Sequence, residues 1–491
     1  MITVLRRMGE RFSDLSERYI PDPYVIAIVL TFVAVAAALA TGAGPQQTMR
    51  AWNNGVWTLL PFMASIAILL MAGDAIAKSP RFTTQLEKLA RIPDSQFTAV
   101  WFVGFVAMGA AIVSWAIGLI VGAIMAKRVA YECQEKGVEV HYPLLAAAGY
   151  TSLMVYHGGL TSSVSLMMAD ASLIPGTWEP QFREAIPIDQ TIGSLANIVT
   201  TGTLLVVIPV VMGLLHPKEG IRELPPSARR KIDEVADPED VDTATVADGG
   251  WPVDDGGAEG RRVADGGGGP AGTPEDNTSV ADKLNDSRLI GLSIAIFPAY
   301  FVVDAWILQP GGLSNLTLNS INALFIALAV LLWIRPTALV DQMHDSVTNI
   351  AGVIFQFPFY AGIAGILTGT GLAALLVEFV GGFATPATWP LLGVLLAGLV
   401  NIFIPSGGGQ WVAMGPIMLE ITEGMGMAPR DAVLIEMLGD QLTNMIQPFW
   451  AIPLLAIANL RARDIIGYTT VAMIVGFVIV AGWLTLFLAI L

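Results

Sequence analysis

The chain has one cysteine, Cys133, so no disulfide can close within it, and the residue reads as a passive loop position. Its glycine-rich runs are not followed by Gly-Lys-Ser/Thr, which excludes a phosphate-binding loop, and no serine-elbow or metal-ligand motif is present. Lysine is scarce, at 7 against 19 arginines, and with acidic loops this composition suggests a high-salt cytoplasm such as that of a halophilic archaeon. No cleavable signal peptide is evident. The N-terminus carries Arg6, Arg7, Glu10, Arg11, Asp14, Glu17 and Arg18, and the first apolar run, about 24–40, is long enough to stay in a bilayer as an anchor.

The chain is rich in apolar runs. Over 491 residues, 54% are hydrophobic and mean hydropathy is +0.63, which implies an all-α polytopic membrane protein. Net charge is −15, with 17 Asp+Glu against 8 Lys+Arg in residues 217–287. That Gly/Asp-rich stretch is too poor in large apolar residues to offset its ordering entropy, so it reads as a disordered cytoplasmic linker. No nucleic-acid partner is expected.

A pattern occurs twice. Gly55, Val56, Pro61, Phe62, Ala64, Ile66, Ala67 and Leu70 recur 297 positions on as Gly352, Val353, Pro358, Phe359, Ala361, Ile363, Ala364 and Leu367. Duplicated halves with interrupted helices mark secondary transporters built from repeats. The positive-inside rule then orients the elements. Helix 1 (about 24–41) leaves the cytoplasm, and helix 2 (about 55–77) returns to a loop with Lys78, Arg81, Lys88 and Arg91. The segment 97–126 has basic flanks on both sides and reads as a re-entrant hairpin of two helices of about 12 residues. A broken helix (about 143–169) and a span (about 190–215) complete an N-terminal repeat within 1–216. An extra helix in 288–317 inverts the second half. The C-terminal repeat, 318–491, opens with a span at about 318–334 and the second motif copy at about 347–371. It adds a hairpin at 388–419, a broken helix at 431–459 and a last helix from about 466. The count is nine spans and two hairpins, in two repeats of opposite orientation.

Bare backbone in hydrocarbon is tolerated only where it lines a protein-walled or wet cavity. Four breaks are predicted, at Ser114–Gly118, Tyr156–Gly159, Asn401–Gly409 and Asn444–Pro448. Inverted symmetry should gather them near mid-bilayer, where half-helix N-termini suit a carboxylate. The candidate substrate-binding residues are Ser114, Gly118, His157, Gly158, Asn401, Ser406, Gly407, Gly408, Gly409, Asn444 and Gln447. Freed carbonyls and Asn side chains would complete the site, with a Na+ ion possible near Asn401 and Asn444. Asp440, at the start of the last break, and His157 are the candidates for a coupling ion. Asp74 reads as interfacial, and Asp304 and Glu378 as near the outer surface. Gln356 and Tyr360 face either a cavity or a packing interface, and Trp411 and Trp450 either a belt or the core. No base lies deep in any span, so the site holds at most one substrate charge, which favours a small monocarboxylate over a dicarboxylate or other organic anion. A channel, or a hydrolase with His157 as base and Ser152, Ser162 or Ser406 as nucleophile, is the reading from another class.

Several strings resemble the bacterial short-chain fatty acid transporter family, within the wider ion transporter superfamily. They are Pro21-Asp22-Pro23, Trp115 to Gly122, Gln356 to Ile363, Asn401 with Pro405 to Trp411, and Gln447 to Ala451. The resemblance covers nearly the whole chain outside 217–287. It implies uptake of short fatty or keto acids such as butyrate or acetoacetate; coupling to H+ or Na+, without an organic cofactor, is expected of such a carrier. It also implies a plasma-membrane homodimer with a scaffold and an elevator-like mobile domain. The chain departs from the family pattern in its long acidic linker and in the histidine at 157.

Overall fold

The two copies of the repeated motif lie on helices that run antiparallel to each other. In this computed structural model the described residues are 23–58, 60–176, 178, 180–226, 229, 279–310, 312–372, 375, 379, 382–403 and 406–490, and their regular structure is helical throughout. The first copy spans α2 (Pro45–Thr58) and α3 (Leu60–Ala77), and the second lies on the 34-residue α12 (Pro336–Gly369). Gln47 Nε2 donates to Gly369 O at 3.1 Å. Farther along, Gly55 meets Ala361 and Gly365. Beyond that, Asp74 accepts from Gln342 Nε2 and Ser346 Oγ, at 3.2 and 2.6 Å. Partner numbers fall along α12 as they rise along α2 and α3, so these repeat-related elements point opposite ways. Gly55 and Gly365 make the crossing possible, because a Cβ on either would overlap the facing backbone.

Other contacts obey the same pairing. α1 (Pro23–Ala40) packs on α12 as α11 (Leu318–Trp333) packs on α3. α10 (Arg288–Val303) is the added element, antiparallel to α11 with Gly291 against the Ile334 carbonyl. The basic stretch after α3 is not a loop but a short helix, α4 (Pro80–Ala90). α2 and α12 begin earlier than the apolar runs they lead into, at Pro45 and Pro336, since proline fits the first turn of a helix where no donor is needed.

The second bundle holds the hairpins and broken helices. A Ser95–Thr98 capping box opens α5 (Gln96–Val113), extended Ser114 stops it, and α6 (Trp115–Glu135) folds back. Gly118 faces Ala111 beside the turn, and at the open end Lys136 Nζ donates to the carbonyls of Arg91 and Pro93. The arms have 18 and 21 residues, about 27 and 31 Å, rather than 12 each. The helix continues through Lys127 and Arg128, and Cys133 is fully buried on it rather than in a loop. The other hairpin is α13 (Trp389–Phe403) and α14 (Gly407–Gly424), tied by Gln410 Nε2 to Ala397 O at 2.9 Å and Trp389 Nε1 to Thr422 Oγ1 at 2.9 Å. One broken helix is α7 (Tyr142–Tyr150), two 3-10 turns (Thr151–Met154 and Tyr156–Gly158) and α8 (Ser163–Met168). Its counterpart is α15 (Pro429–Thr443), a 3-10 turn (Asn444–Ile446) and α16 (Pro448–Ala458). The closing helices α9 (Leu195–Leu214) and α17 (Ala462–Thr485) pack on each other. The two bundles meet where α6 lies on α3 and α14 lies on α12, again a matched pair.

Among the described residues, Gln96–Val113, Leu195–Leu214, Arg288–Leu308 and Ala462–Ala489 are long and apolar enough to cross a membrane alone. Met63–Ala77 with Pro80–Ala90 forms a further bent pair, at 59°. Ala27–Ala40, Leu318–Trp333, Ile354–Gly369 and Trp389–Ile402 are shorter apolar helices. The N-terminal charges to Arg18, Pro405, Glu378 and linker residues 230–278 lie outside the described residues.

Candidate functional site

The site is built where the two broken helices cross and the tip of the second hairpin meets them. Ser406, extended and nearly buried, caps α14 by accepting from Gly409 N–H at 3.2 Å. Gly407 to Gly409 are therefore the first turn of a helix and not an unwound loop. The cap consumes one donor and leaves the N–H groups of Gly407 and Gly408 outside the helix's own ladder. Likewise the first hairpin breaks at Ser114 alone, because Trp115 to Gly118 are helical.

Gly407 sits against the first half. A Cβ there would overlap Cε1 and Nε2 of His157 and lie 3.0 Å from Asp440 Oδ2. His157 is fully buried on its 3-10 turn, its backbone N–H donating to Gln441 Oε1 at 3.1 Å and its ring edge-on to Tyr156. Its Nε2 is 3.7 Å from Asp440 Oδ2, close in charge terms but beyond a hydrogen bond. Asp440 lies inside α15, one turn before its end, rather than at the start of the break. One turn earlier is Glu436, also fully buried. All four oxygens of these two carboxylates, both His157 ring nitrogens and Gln441 Nε2 are buried with no hydrogen-bond partner among the described residues. Segments 142–168, 389–419 and 431–459 contain no lysine or arginine.

Three carbonyls of the second break are engaged by side chains from within the protein. Tyr150 OH lies 2.7 Å from Asn444 O and 2.9 Å from Gln447 O, and Thr469 Oγ1 donates to Met445 O. Gln447 Nε2 donates to Asn401 O and Ile402 O, at 3.1 and 2.6 Å. Asn401 Nδ2 donates to Asp440 O, Thr443 Oγ1 and Asn444 Oδ1, at 2.8 to 3.0 Å. The carbonyls expected to face a ligand are thus engaged by side chains, which removes the penalty of bare backbone in an apolar medium. Beside Gly407, the unengaged groups are instead the side chains of Glu436, Asp440, His157 and Gln441, with Gln410 Oε1 and Trp411 Nε1 likewise unpaired among the described residues along α14.

The structure brings His157, Asn401, Ser406, Gly407, Asp440, Asn444 and Gln447 together, with Gly408 and Gly409 in the adjoining helical turn. Three expected members face elsewhere. Ser114 Oγ points at Gly73 of α3, Gly118 packs on Ala111, and Gly158 lies against Asn197 and Thr201 of α9. Asp74 is buried near the end of α3, and also pairs with Lys78 at 2.9 Å. Gln356 and Tyr360 are buried on α12. Trp411 packs on Trp178, and Trp450 on Trp115. Because neither His157 nitrogen has a hydrogen-bond partner among the described residues, no serine there is in place for it to activate. Among the described residues no group of three or more His, Cys, Asp or Glu is placed to hold a metal ion. Sequence reasoning missed Glu436, Gln441 and Tyr150. Glu436 carried a readable signal, an acid one helical turn from Asp440 in an apolar segment.

Two solved structures share the fold. They are the Alcanivorax borkumensis YdaH transporter, described as having an unusual topology (16% identity, TM-score 0.51, 95% of this chain and 97% of that one), and Neisseria gonorrhoeae MtrF, described within a class of antimetabolite efflux pumps (12%, TM-score 0.57, 98% of each). Two relatives are named as candidate short-chain fatty acid transporters. The Haemophilus influenzae protein is 30% identical over 477 residues (96% of this chain, 97% of that one), and the Escherichia coli protein 31% over 493 (99% and 100%). All four are named as transporters or pumps and none as an enzyme, which sets the hydrolase reading aside. The model of the short chain fatty acid transporter family matches residues 4–245 and 272–487, and with nearly the whole length matched on both sides of the acidic stretch, the chain belongs to that family.

Proposed function

We propose that the chain is a secondary active carrier of short-chain monocarboxylates, of the butyrate or acetoacetate kind, coupled to H+ or Na+. The observation that carries this reading is the buried acid pair. Glu436 and Asp440 stand one turn apart, with no hydrogen-bond partner among the described residues and no lysine or arginine in the segments around them. Two carboxylates in an apolar enclosure cannot both stay ionised unless a proton or metal cation neutralises them. A site that admits an anion only together with a cation is a symport site. The free N–H groups of Gly407 and Gly408 and the Ser406 hydroxyl would hold the substrate carboxylate, and the apolar surroundings its short chain.

In this reading the bundle of hairpins and broken helices moves against the bundle of α1–α4 and α10–α12, sliding along α3/α6 and α12/α14. The protein works as a multi-pass homodimer in the cell membrane, with the N-terminus and linker in the cytoplasm. The test is uptake of labelled butyrate into proteoliposomes, challenged with unlabelled acids. Acetate, butyrate and acetoacetate should compete and succinate should not. Effective competition by succinate would move the substrate class to dicarboxylates.

A further inference from the structure

At the end of the molecule where the linker leaves, two histidines accept backbone hydrogen bonds in series. His216 Nδ1 bonds Pro217 O at 2.9 Å, which makes Nδ1 the protonated nitrogen, and Nε2 accepts from His141 N–H at 3.0 Å. His141 Nδ1 in turn accepts from Arg222 N–H at 3.1 Å, and Arg222 O accepts from Tyr142 N–H at 2.8 Å. The root of the linker, 216–222, thereby caps the first N–H groups of α7, the helix that leads to His157. The same node reaches the second half. Arg222 Nη1 binds Asp464 Oδ1 at 2.7 Å, Asp464 caps α17 through Arg461 N–H, and Tyr142 OH donates to the last carbonyl of α16, Ala458 O.

We propose that this node is a pH-sensitive latch that holds the linker root on the broken helices while both imidazoles are neutral. An imidazolium has a proton on each nitrogen and accepts nothing. Protonating His216 sets Nε2–H against His141 N–H, and protonating His141 sets Nδ1–H against Arg222 N–H. Each event replaces an accepted bond by two donors face to face. Burial pushes the His216 imidazole below its ordinary value, in opposition to the Pro217 carbonyl, which raises it. The linker root and α17 bring charged groups beside His141. Glu219, Arg222, Arg463 and Asp464, with Tyr468, line a cavity of about 240 Å³ beside His141.

The sign follows from the lowered value. At His216 the latched state binds fewer protons than the released one, so its hold on His141 N–H does not depend on pH above the usual imidazole range, near 6.5, and weakens progressively below it. Resting on the proposed function, delivery of an acid that gives up its proton on this face would loosen the node that anchors the moving helices. Uptake would then report back on the carrier.

The test is hydrogen exchange by mass spectrometry on the full chain in detergent, comparing pH 7.5 and 5.5 after correction for intrinsic rates. It requires no substrate, so its outcome is separate from that of the transport reading. Protection of His141, Tyr142 and Arg222 should fall at least tenfold at pH 5.5, while the α5–α6 hairpin is unchanged. The paired substitutions His216→Gln and His141→Asn keep an acceptor near each position without a titrating ring, and should abolish that pH dependence. Equal protection of the wild type at both pH values, or the same pH response in the double variant, overturns the latch.

Discussion

Replacing Gly407 with alanine tests whether the second hairpin must close on the first half. The added Cβ would overlap the edge of the His157 ring and lie 3.0 Å from Asp440 Oδ2. Non-bonded carbons rest at roughly 3.5–4.0 Å, so the ring or the hairpin tip must move by about 1 Å or more. His157 is fully buried and its backbone is tied to Gln441, so the ring has nowhere to retreat. Overpacking of this kind costs about 1–3 kcal/mol. Gly407 has no positive φ, so alanine brings no backbone strain, and the cost falls on closure of the hairpin tip against His157 as packed here. At 1.4 kcal/mol per tenfold, closure should become roughly 5- to 150-fold less populated. Labelled-butyrate uptake by Gly407→Ala in proteoliposomes should fall by about that range, while the protein still elutes as a folded species. In Gly407→Ala/His157→Ala the ring is gone, so the double variant should be no slower than His157→Ala alone. Wild-type uptake by Gly407→Ala, or losses that simply multiply in the double variant, would refute the reasoning.

Glu436→Gln removes a buried carboxylate that has no partner among the described residues, so the chain should fold at least as well as wild type while an imposed cation gradient no longer accelerates uptake. Tyr150→Phe leaves Asn444 O and Gln447 O without their hydroxyl donor and should destabilise the protein by about 1–3 kcal/mol, read as a lower midpoint in thermal unfolding. Ser406→Ala removes the cap of α14 at about 1 kcal/mol, and should raise the butyrate concentration for half-maximal uptake more than it lowers the maximal rate.

The architecture was legible because it is written twice. The 297-residue offset pairs α2–α3 with α12, and loop charges assign the pair opposite directions, as their antiparallel packing bears out. Break positions were legible from Ser, Gly and Pro, but break widths were not. A glycine run reads as loop until one knows that Ser406 caps it into a helix. Partners were equally hidden. Tyr150 is 294 residues from Asn444, and nothing local in the sequence says that it satisfies that carbonyl. Ser114 looked like a site residue because it stops a helix, yet its side chain turns to Gly73, a choice made by tertiary packing. Glu436 was overlooked for a different reason. It sits in the interior of a regular helix, where attention to breaks does not look, although burial of an acid there is costly enough to demand a role.

The most direct measurement is the steady-state ratio of labelled butyrate inside to outside in sealed proteoliposomes, under an imposed H+ or Na+ gradient. For wild type the ratio should rise well above one with one of the two gradients and collapse when that gradient is dissipated, whereas Glu436→Gln should equilibrate at one. A wild-type ratio that stays at one under both gradients, or a Glu436→Gln variant that accumulates butyrate as wild type does, would contradict coupling through the buried acid pair.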